Sequence, residues 1–284
     1  MANKVKSKYN PLTIFISSHV PFRVPSYINE HPDTYKIITN CDDPFPPTKL
    51  DLLRVNKMKC DYGPEQNKCL NEWRMINAIY NMKHLPEYIG ICHYRRYFDP
   101  NVIDRLNMRV LEENGYEMVI GQPVRYMDAL HEEHDSFTYY GYWHNYKDFL
   151  KLEEVVKRMY PTMADAFDEM KEQDYLYNSA MTILRRDDFI DLCEFNFSIY
   201  DELMKEYGFK NDEDAFNYVG EHLDEYVKPY NKYYDQNMQS RLISYLTERS
   251  WNVWMREKRD DGTSLLDHAA EIQWFMPNEK DIKV

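Results

Sequence analysis

Two successive arginines, Arg95 and Arg96, stand directly after the apolar run Tyr88-Ile89-Gly90-Ile91-Cys92 and the pair His93-Tyr94, and directly before Tyr97-Phe98. A guanidinium carries a permanent charge on a planar fork that grips two phosphate oxygens at once. Arginines delivered by a buried strand therefore suit a diphosphate. Neighbouring side chains on an extended segment point oppositely, so one of the two is expected to face the ligand. The alternative is a pair of ordinary surface arginines. If the ligand is a nucleoside diphosphate carrying a group to be transferred, its departure needs charge stabilisation, and the receiving hydroxyl needs a carboxylate to take its proton. The carboxylates in suitable places are Asp174, Asp235 and Glu248. Asp235 reads equally well as a helix N-cap, and Glu248-Arg249 as a helix-surface or buried pair.

No Asp-x-Asp metal motif follows the Tyr88–Cys92 run. Asp42-Asp43 is the nearest acidic pair and Asp99 follows Phe98, so Asp42 and Asp99 are the possible ligands of a divalent Mn or Mg held partly by diphosphate oxygens. A site in which arginine replaces the ion is equally open, and no metal ligand set is assigned. His131-Glu132-Glu133-His134 places its histidines three apart where a zinc helix needs four, and reads as a charged turn. The Asn196-Phe197-Ser198 sequon falls inside an expected helix.

Strands and helices must position these groups. Leu12–His19 is expected to be a buried strand ending in polar Ser17, Ser18 and His19, and Tyr35–Asn40 a second. Asn71–His84 has helical spacing of apolar residues, Tyr88–Cys92 is a third strand, and Gly115–Gly121 a fourth. This alternation predicts an α/β fold with a mostly parallel sheet, in which ligands sit at the C-terminal strand ends. Ser17, His19 and His93–Arg96 fall there. Further on, Tyr146–Tyr160, Thr162–Glu172, Asp187–Tyr207 (capped by Asp187 or Asp188) and Asp235–Met255 are expected helices, and Tyr175–Leu184 a strand. With no linker composition between the halves, the chain reads as one domain: 12–125 the ligand-binding α/β half, 126–257 a helix-rich half, and 258–284 a surface extension.

Composition narrows the class. The 284 residues carry a formal charge of −13, which opposes non-specific binding to nucleic acid, although Arg95-Arg96, Arg185-Arg186 and the Lys4, Lys6 and Lys8 stretch cluster positive charge locally. Five irregularly spaced cysteines signal neither disulfides nor zinc. The N-terminus lacks an apolar leader core and no run reaches the length of a membrane span, so a cytoplasmic protein with reduced thiols is expected. The 25 tyrosines suit polar, ring-shaped ligands such as sugars and nucleotides.

The segment Tyr88–Phe98 closely resembles the hallmark of a bacterial family of capsular and exopolysaccharide glycosyltransferases, long catalogued as a domain of unknown function. Further pieces are similar in order: Glu72, His144, Tyr160-Pro161 with Ala166-Phe167, Leu176-Tyr177-Asn178 with Met181, Tyr234-Asp235, Gln239, Arg241, Leu246-Thr247-Glu248-Arg249 and Asn252-Val253-Trp254. The resemblance spans most of residues 12 to 257. It implies a GT-A-like fold, a UDP-sugar as donor substrate, transfer of a hexosyl or pentosyl unit, and a glycan or lipid-linked acceptor in surface polysaccharide synthesis. It implies that Glu72, His93, Arg95, Arg96, Tyr177, Asn178, Asp235, Gln239, Arg241, Glu248 and Arg249 cluster. Ser17 and His19, at the strand edge, are expected on the donor side with Glu72, His93, Arg95, Arg96, Tyr177 and Asn178, and His144, Gln239, Arg241 and Arg249 in support of the acceptor side. Asp61–Asn67 departs from the family's Gly-Asp-Asn-type loop. Two alternatives remain at this stage: transfer to hydroxymethylated cytosine in phage DNA, and a non-catalytic module that binds sugar or nucleotide.

Overall fold

The computed structural model describes residues 11–103, 105–127, 132–177, 181–228 and 235–284. His131, Asn178, Tyr230, Tyr233, Tyr234 and the Lys4–Lys8 stretch lie outside them. The strands are β1 (Leu12–Ser18), β2 (Tyr35–Thr39), β3 (Asp51–Arg54), β4 (Tyr88–His93), β5 (Tyr97–Phe98), β6 (Met118–Gly121), β7 (Val124–Arg125), β8 (Tyr175–Leu176), β9 (Thr182–Arg185), β10 (Ala269–Ile272) and β11 (Trp274–Phe275). Seven form one sheet in the order β10-β6-β9-β4-β1-β2-β3. Only β9 runs against its neighbours, β4 and β6, so the sheet is mostly parallel as the strand–helix alternation predicts.

Every residue of β1 and β4 is buried. A strand covered on both faces reads as a continuous apolar run, which is why these two stand out in the sequence. Alternation along β4 sorts its side chains: Ile89 and Ile91 join the larger core under the helices, while Tyr88 and Cys92 join the smaller core on the other face. The same parity sends His93 toward the helical layer. Ser17 of β1 lies in register beside His93, and Ser18 beside Thr39 of β2, so three strand ends meet along one edge.

The helical layer includes Glu72–Tyr80, Ser136–Trp143, Tyr146–Met159, Ala164–Glu172, Arg186–Tyr207 and Leu242–Trp254. Several boundaries differ from the expected ones. Tyr175–Leu184 is not one strand: β8 pairs with β7 in a small separate ribbon, and β9 enters the main sheet. The helix expected over Asp235–Met255 is broken at Ser240-Arg241 into Gln236–Gln239 and Leu242–Trp254. The long helix starts at Arg186, with Asp187 and Asp188 in its first turn rather than capping it. Residues 258–284 are more than a surface extension: β10 is the sheet's edge strand beside β6, and β11 pairs with β5. With β9 between β4 and β6, the sheet draws on all three expected segments. Asn196, of the sequon, is buried in the long helix and bonded to Thr247 and Ser250. All five cysteines are free, and among the described residues no helix is long and apolar enough to cross a membrane.

Gly90 sits where β1, β4 and β9 crowd. A Cβ there would lie 2.7 Å from Ile14 Cγ1 and 3.2 Å from Ile183 Cγ1. Gly90→Ala is expected to destabilise the protein by about 1–3 kcal/mol through overpacking, read from the urea midpoint. An unchanged midpoint would show that these strands can move apart freely.

Candidate active site

At the edge where β1, β2 and β4 end, one contact joins the sheet to the helical layer: His93 Nε2 lies 3.4 Å from Glu72 Oε1, both side chains largely shielded from solvent. Asn40, just past β2, sets the helix position. Its Nδ2 donates to Asn67 Oδ1 at 2.6 Å and its Oδ1 accepts from Arg74 Nη1 at 2.8 Å. Asn67 opens the short helix Asn67–Leu70, whose Lys68 and Cys69 N–H groups donate to Asp212 at 2.8 Å each. Between that turn and the Glu72 helix stands Asn71, at φ 53°, the one positive-φ residue besides glycine among those described. The conformation is costly for a side-chain-bearing residue and is held here by the surrounding contacts.

The protonation of this pair follows from its surroundings. Burial first, then the charges of Arg96 and Arg95, push His93 down to about 2, so its ring is neutral. Its Nδ1 accepts the Arg95 N–H at 3.2 Å, which leaves the ring proton on Nε2, facing Glu72. Burial raises Glu72 to about 7; Arg96, Arg241 and Arg95 oppose the rise and Glu248 adds to it. Three guanidinium groups and a second carboxylate thus act on one buried carboxyl.

The two hallmark arginines lie in a turn rather than on an extended segment. The Arg96 N–H donates to the His93 carbonyl at 2.8 Å, closing a tight turn before β5. Both consequently act electrostatically on Glu72 and on His93. Arg95 lies over the Tyr94 ring at 5.3 Å. His19, past the end of β1, packs edge-on to Tyr94 at 5.4 Å and is held below the ordinary histidine range by desolvation, then by Arg95 and Arg241. Arg241 occupies the break between the two C-terminal helices, over Tyr245 at 5.8 Å.

Glu248 and Arg249 border this cluster from the helix beyond the break, 3.5 Å apart. Arg249 is buried, donates to the Tyr245 carbonyl at 2.7 Å and lies 5.0 Å over the Tyr140 ring. Behind it, Gln239 Oε1 accepts from His144 Nδ1 at 2.9 Å, and its Nε2 donates to the carbonyls of Trp143 and Tyr226 at 2.8 and 2.9 Å. His144 is pushed down to about 3, mainly by burial. Gln239 and His144 thereby fasten three helices together and support the site from inside.

The remaining sequence candidates are committed to other partners. Ser17 is buried with its hydroxyl committed to the Cys92 carbonyl at 3.1 Å. Tyr177 is held by Asn252 and, through its hydroxyl, by Glu271 of β10. Asp174 forms a half-exposed ion pair with Arg125 beside the β7–β8 ribbon. Asp235 caps Gln236–Gln239 by accepting the Met238 N–H at 2.9 Å. Asp42 accepts from Asn56, and Asp99 accepts from Asn101 at 2.9 Å. Among the described residues no three His, Cys, Asp or Glu side chains converge to hold a metal. Arg185 and Arg186 lie at the opposite end of β4, on Glu112 and the Pro86 carbonyl. Sequence reading missed Asn40 and Arg74, which set the Glu72 helix, and the aromatic side of Ser136–Trp143. The run Tyr139-Tyr140-Gly141-Tyr142-Trp143 is its sequence signal.

The chain superposes on the apo structure of the bifunctional glycosyltransferase WbbM with a TM-score of 0.69 over 95% of its length, at 16% identity. It accounts for 46% of that protein, less than half of it. By sequence, residues 48–232 match the family described as a domain of unknown function, DUF4422, and the chain belongs to that family. Comparison with curated proteins gives no match.

A carboxyl raised from about 4.5 to about 7 costs the folded state stability as pH rises through that interval, because the unfolded chain ionises first. Glu72→Gln removes this cost. The variant is expected to match the wild type near pH 4.5 and to exceed it by on the order of 2 kcal/mol at pH 8, measured by denaturant unfolding at both values. An equal difference at both would mean Glu72 is not held protonated.

Proposed function

We propose that this protein is a glycosyltransferase taking a sugar from a UDP-sugar to a hydroxyl on a glycan or lipid-linked acceptor in surface polysaccharide synthesis. The observation that carries the reading is the convergence of Arg95, Arg96 and Arg241 on a buried Glu–His pair at the C-terminal edge of a mostly parallel sheet. Membership in DUF4422 and the fold shared with WbbM support it.

In the proposed step the acceptor oxygen bonds to the anomeric carbon as the bond from that carbon to the β-phosphate oxygen breaks. The electron pair leaves on UDP, whose charge the three guanidiniums stabilise without reorganising. The acceptor proton passes to Glu248, 29% exposed beside the cluster and so within reach of solvent and substrate. Asp235 and Asp174, committed to a cap and an ion pair, fit this role less well. Glu72 holds His93, and through it the turn bearing both arginines.

UDP at about 100 times its dissociation constant is expected to stabilise the protein by about 2.7 kcal/mol, a thermal shift that persists in EDTA. Arg96→Ala and Arg241→Ala are each expected to weaken UDP about 10- to 100-fold, the loss of one charge-assisted contact. Unchanged affinity in both would remove the diphosphate assignment. Label appearing on hydroxymethylated DNA instead of on saccharide would replace the acceptor class.

The diphosphate also screens Glu72 from the arginines that hold it down, so its pKa rises further on binding. At pH 7.5, titration calorimetry in buffers of different ionisation enthalpy is expected to show more proton uptake for the wild type than for Glu72→Gln. No difference would place UDP away from Glu72.

A further inference from the structure

Residues 274–282 hold both chain segments that leave the sheet at the cationic edge, the exit loop of β1 (residues 19–25) and the arginine turn (residues 94–96). β11 pairs antiparallel with β5, Phe275 opposite Tyr97 and Trp274 opposite Phe98, so the ladder starts at the residue after Arg96. The Asp99 N–H extends it by donating to the Gln273 carbonyl at 3.0 Å. Trp274 is fixed from its other side: its Nε1 donates to the Gln122 carbonyl at 2.9 Å, and a Cβ on Gly121 would come within 3.0 Å of its ring. The Phe275 ring stacks on buried Tyr97 at 6.1 Å and packs at 5.4 Å on Tyr27, in the short helix Ser26–Asn29 that follows the β1 exit loop. The loop itself is tied further on, where the Arg23 N–H donates to the carbonyl of buried Ile282 at 2.9 Å. Loop and turn also meet directly at one ring, because His19 and Phe22 pack on Tyr94 at 5.4 and 5.5 Å.

We propose, on the donor reading above, that residues 274–282 are a strap that fixes the β1 exit loop against the arginine turn, with Phe275 and Ile282 as positioning residues for the UDP moiety. Forked, charge-assisted contacts to a diphosphate depend on where the guanidiniums are held. The strap holds them from behind: it gives the turn a ladder at Tyr97 and Phe98, gives the loop a backbone bond at Arg23, and bridges the elements that follow the two with the single ring of Phe275. Linkage makes the relation reciprocal. A segment that tightens UDP binding is itself tightened by bound UDP, whether or not it touches the nucleotide.

The test measures UDP affinity by titration calorimetry and backbone hydrogen exchange by mass spectrometry, both on the full chain. Ile282→Asp is expected to weaken UDP about tenfold, a coupling of ordinary size, and to speed exchange over residues 19–26 and 94–99 with UDP absent. Arg23→Pro removes the donated N–H from the other partner, should do the same, and serves where Ile282→Asp fails to fold. Arg23→Ala keeps that N–H and should match the wild type in both measurements. In the wild type UDP is expected to slow exchange over residues 274–283, which a merely structural segment would not show. Unchanged UDP affinity in both Ile282→Asp and Arg23→Pro overturns the proposal. So does exchange over residues 274–283 that is indifferent to bound UDP, or an equal loss of affinity in Arg23→Ala and Arg23→Pro. A wild type that binds no UDP removes the donor reading instead, and the unliganded exchange then decides the strap: faster rates over residues 94–99 in Ile282→Asp uphold it, and unchanged rates remove it.

Discussion

The contact between His93 and Glu72 ties the last residue of β4 to the first turn of the helix behind the sheet, and the site is arranged around it. It works only because the ring is neutral. A protonated His93 beside Arg95 and Arg96 would add a third positive charge to a buried corner with one carboxylate to answer it. Desolvation removes that possibility, and the Arg95 N–H bond to Nδ1 turns the remaining ring proton toward Glu72. The same bond shapes the turn that carries both arginines.

This arrangement stores cost in several places. Asn71 holds a left-handed backbone so that Glu72 can begin a new helix at the sheet edge. Glu72 is buried far enough to resist ionisation near neutrality. Arg249 is buried with an Nε–H that finds no acceptor among the described residues. Groups of this kind cluster where a fold serves a ligand rather than itself. The compensating order lies behind them: the Asn40, Asn67 and Arg74 bonds on the sheet side, and the Gln239–His144 knot on the helix side.

Much of this was legible in the sequence, and what was not has physical reasons. β1 and β4 are continuous apolar runs because both their faces are covered, and the polar residues closing them mark the ligand edge. The hallmark segment pointed to both arginines. The extended segment expected there is a turn, because hydrogen bonding between His93 and Arg96 closes it, which no side-chain pattern announces. β10 was hidden for a different reason. It has four residues and pairs with a strand far earlier in the sequence, so local spacing carries no trace of the partner. Asp235 showed the opposite ambiguity: its capping signal was correct, and the cap accounts for the side chain.

The way the sheet is woven bears on how the two halves of the proposed site are held together. The cationic edge is made by β1, β4 and the helix beginning at Glu72, all from the first hundred residues. Glu248, Arg249 and Arg241 come from a helix pair near the C-terminus. Two such halves joined only by side-chain packing could drift by an ångström, enough to lose a proton transfer that depends on hydrogen-bond distance. Here β9 lies between β4 and β6, and the helix that follows it, Arg186–Tyr207, packs along the Leu242–Trp254 helix bearing Glu248. The backbone that carries the arginines is thus hydrogen-bonded to the strand that leads into the layer holding the carboxylate. That continuity is what allows residues 150 positions apart in sequence to keep one electrostatic site.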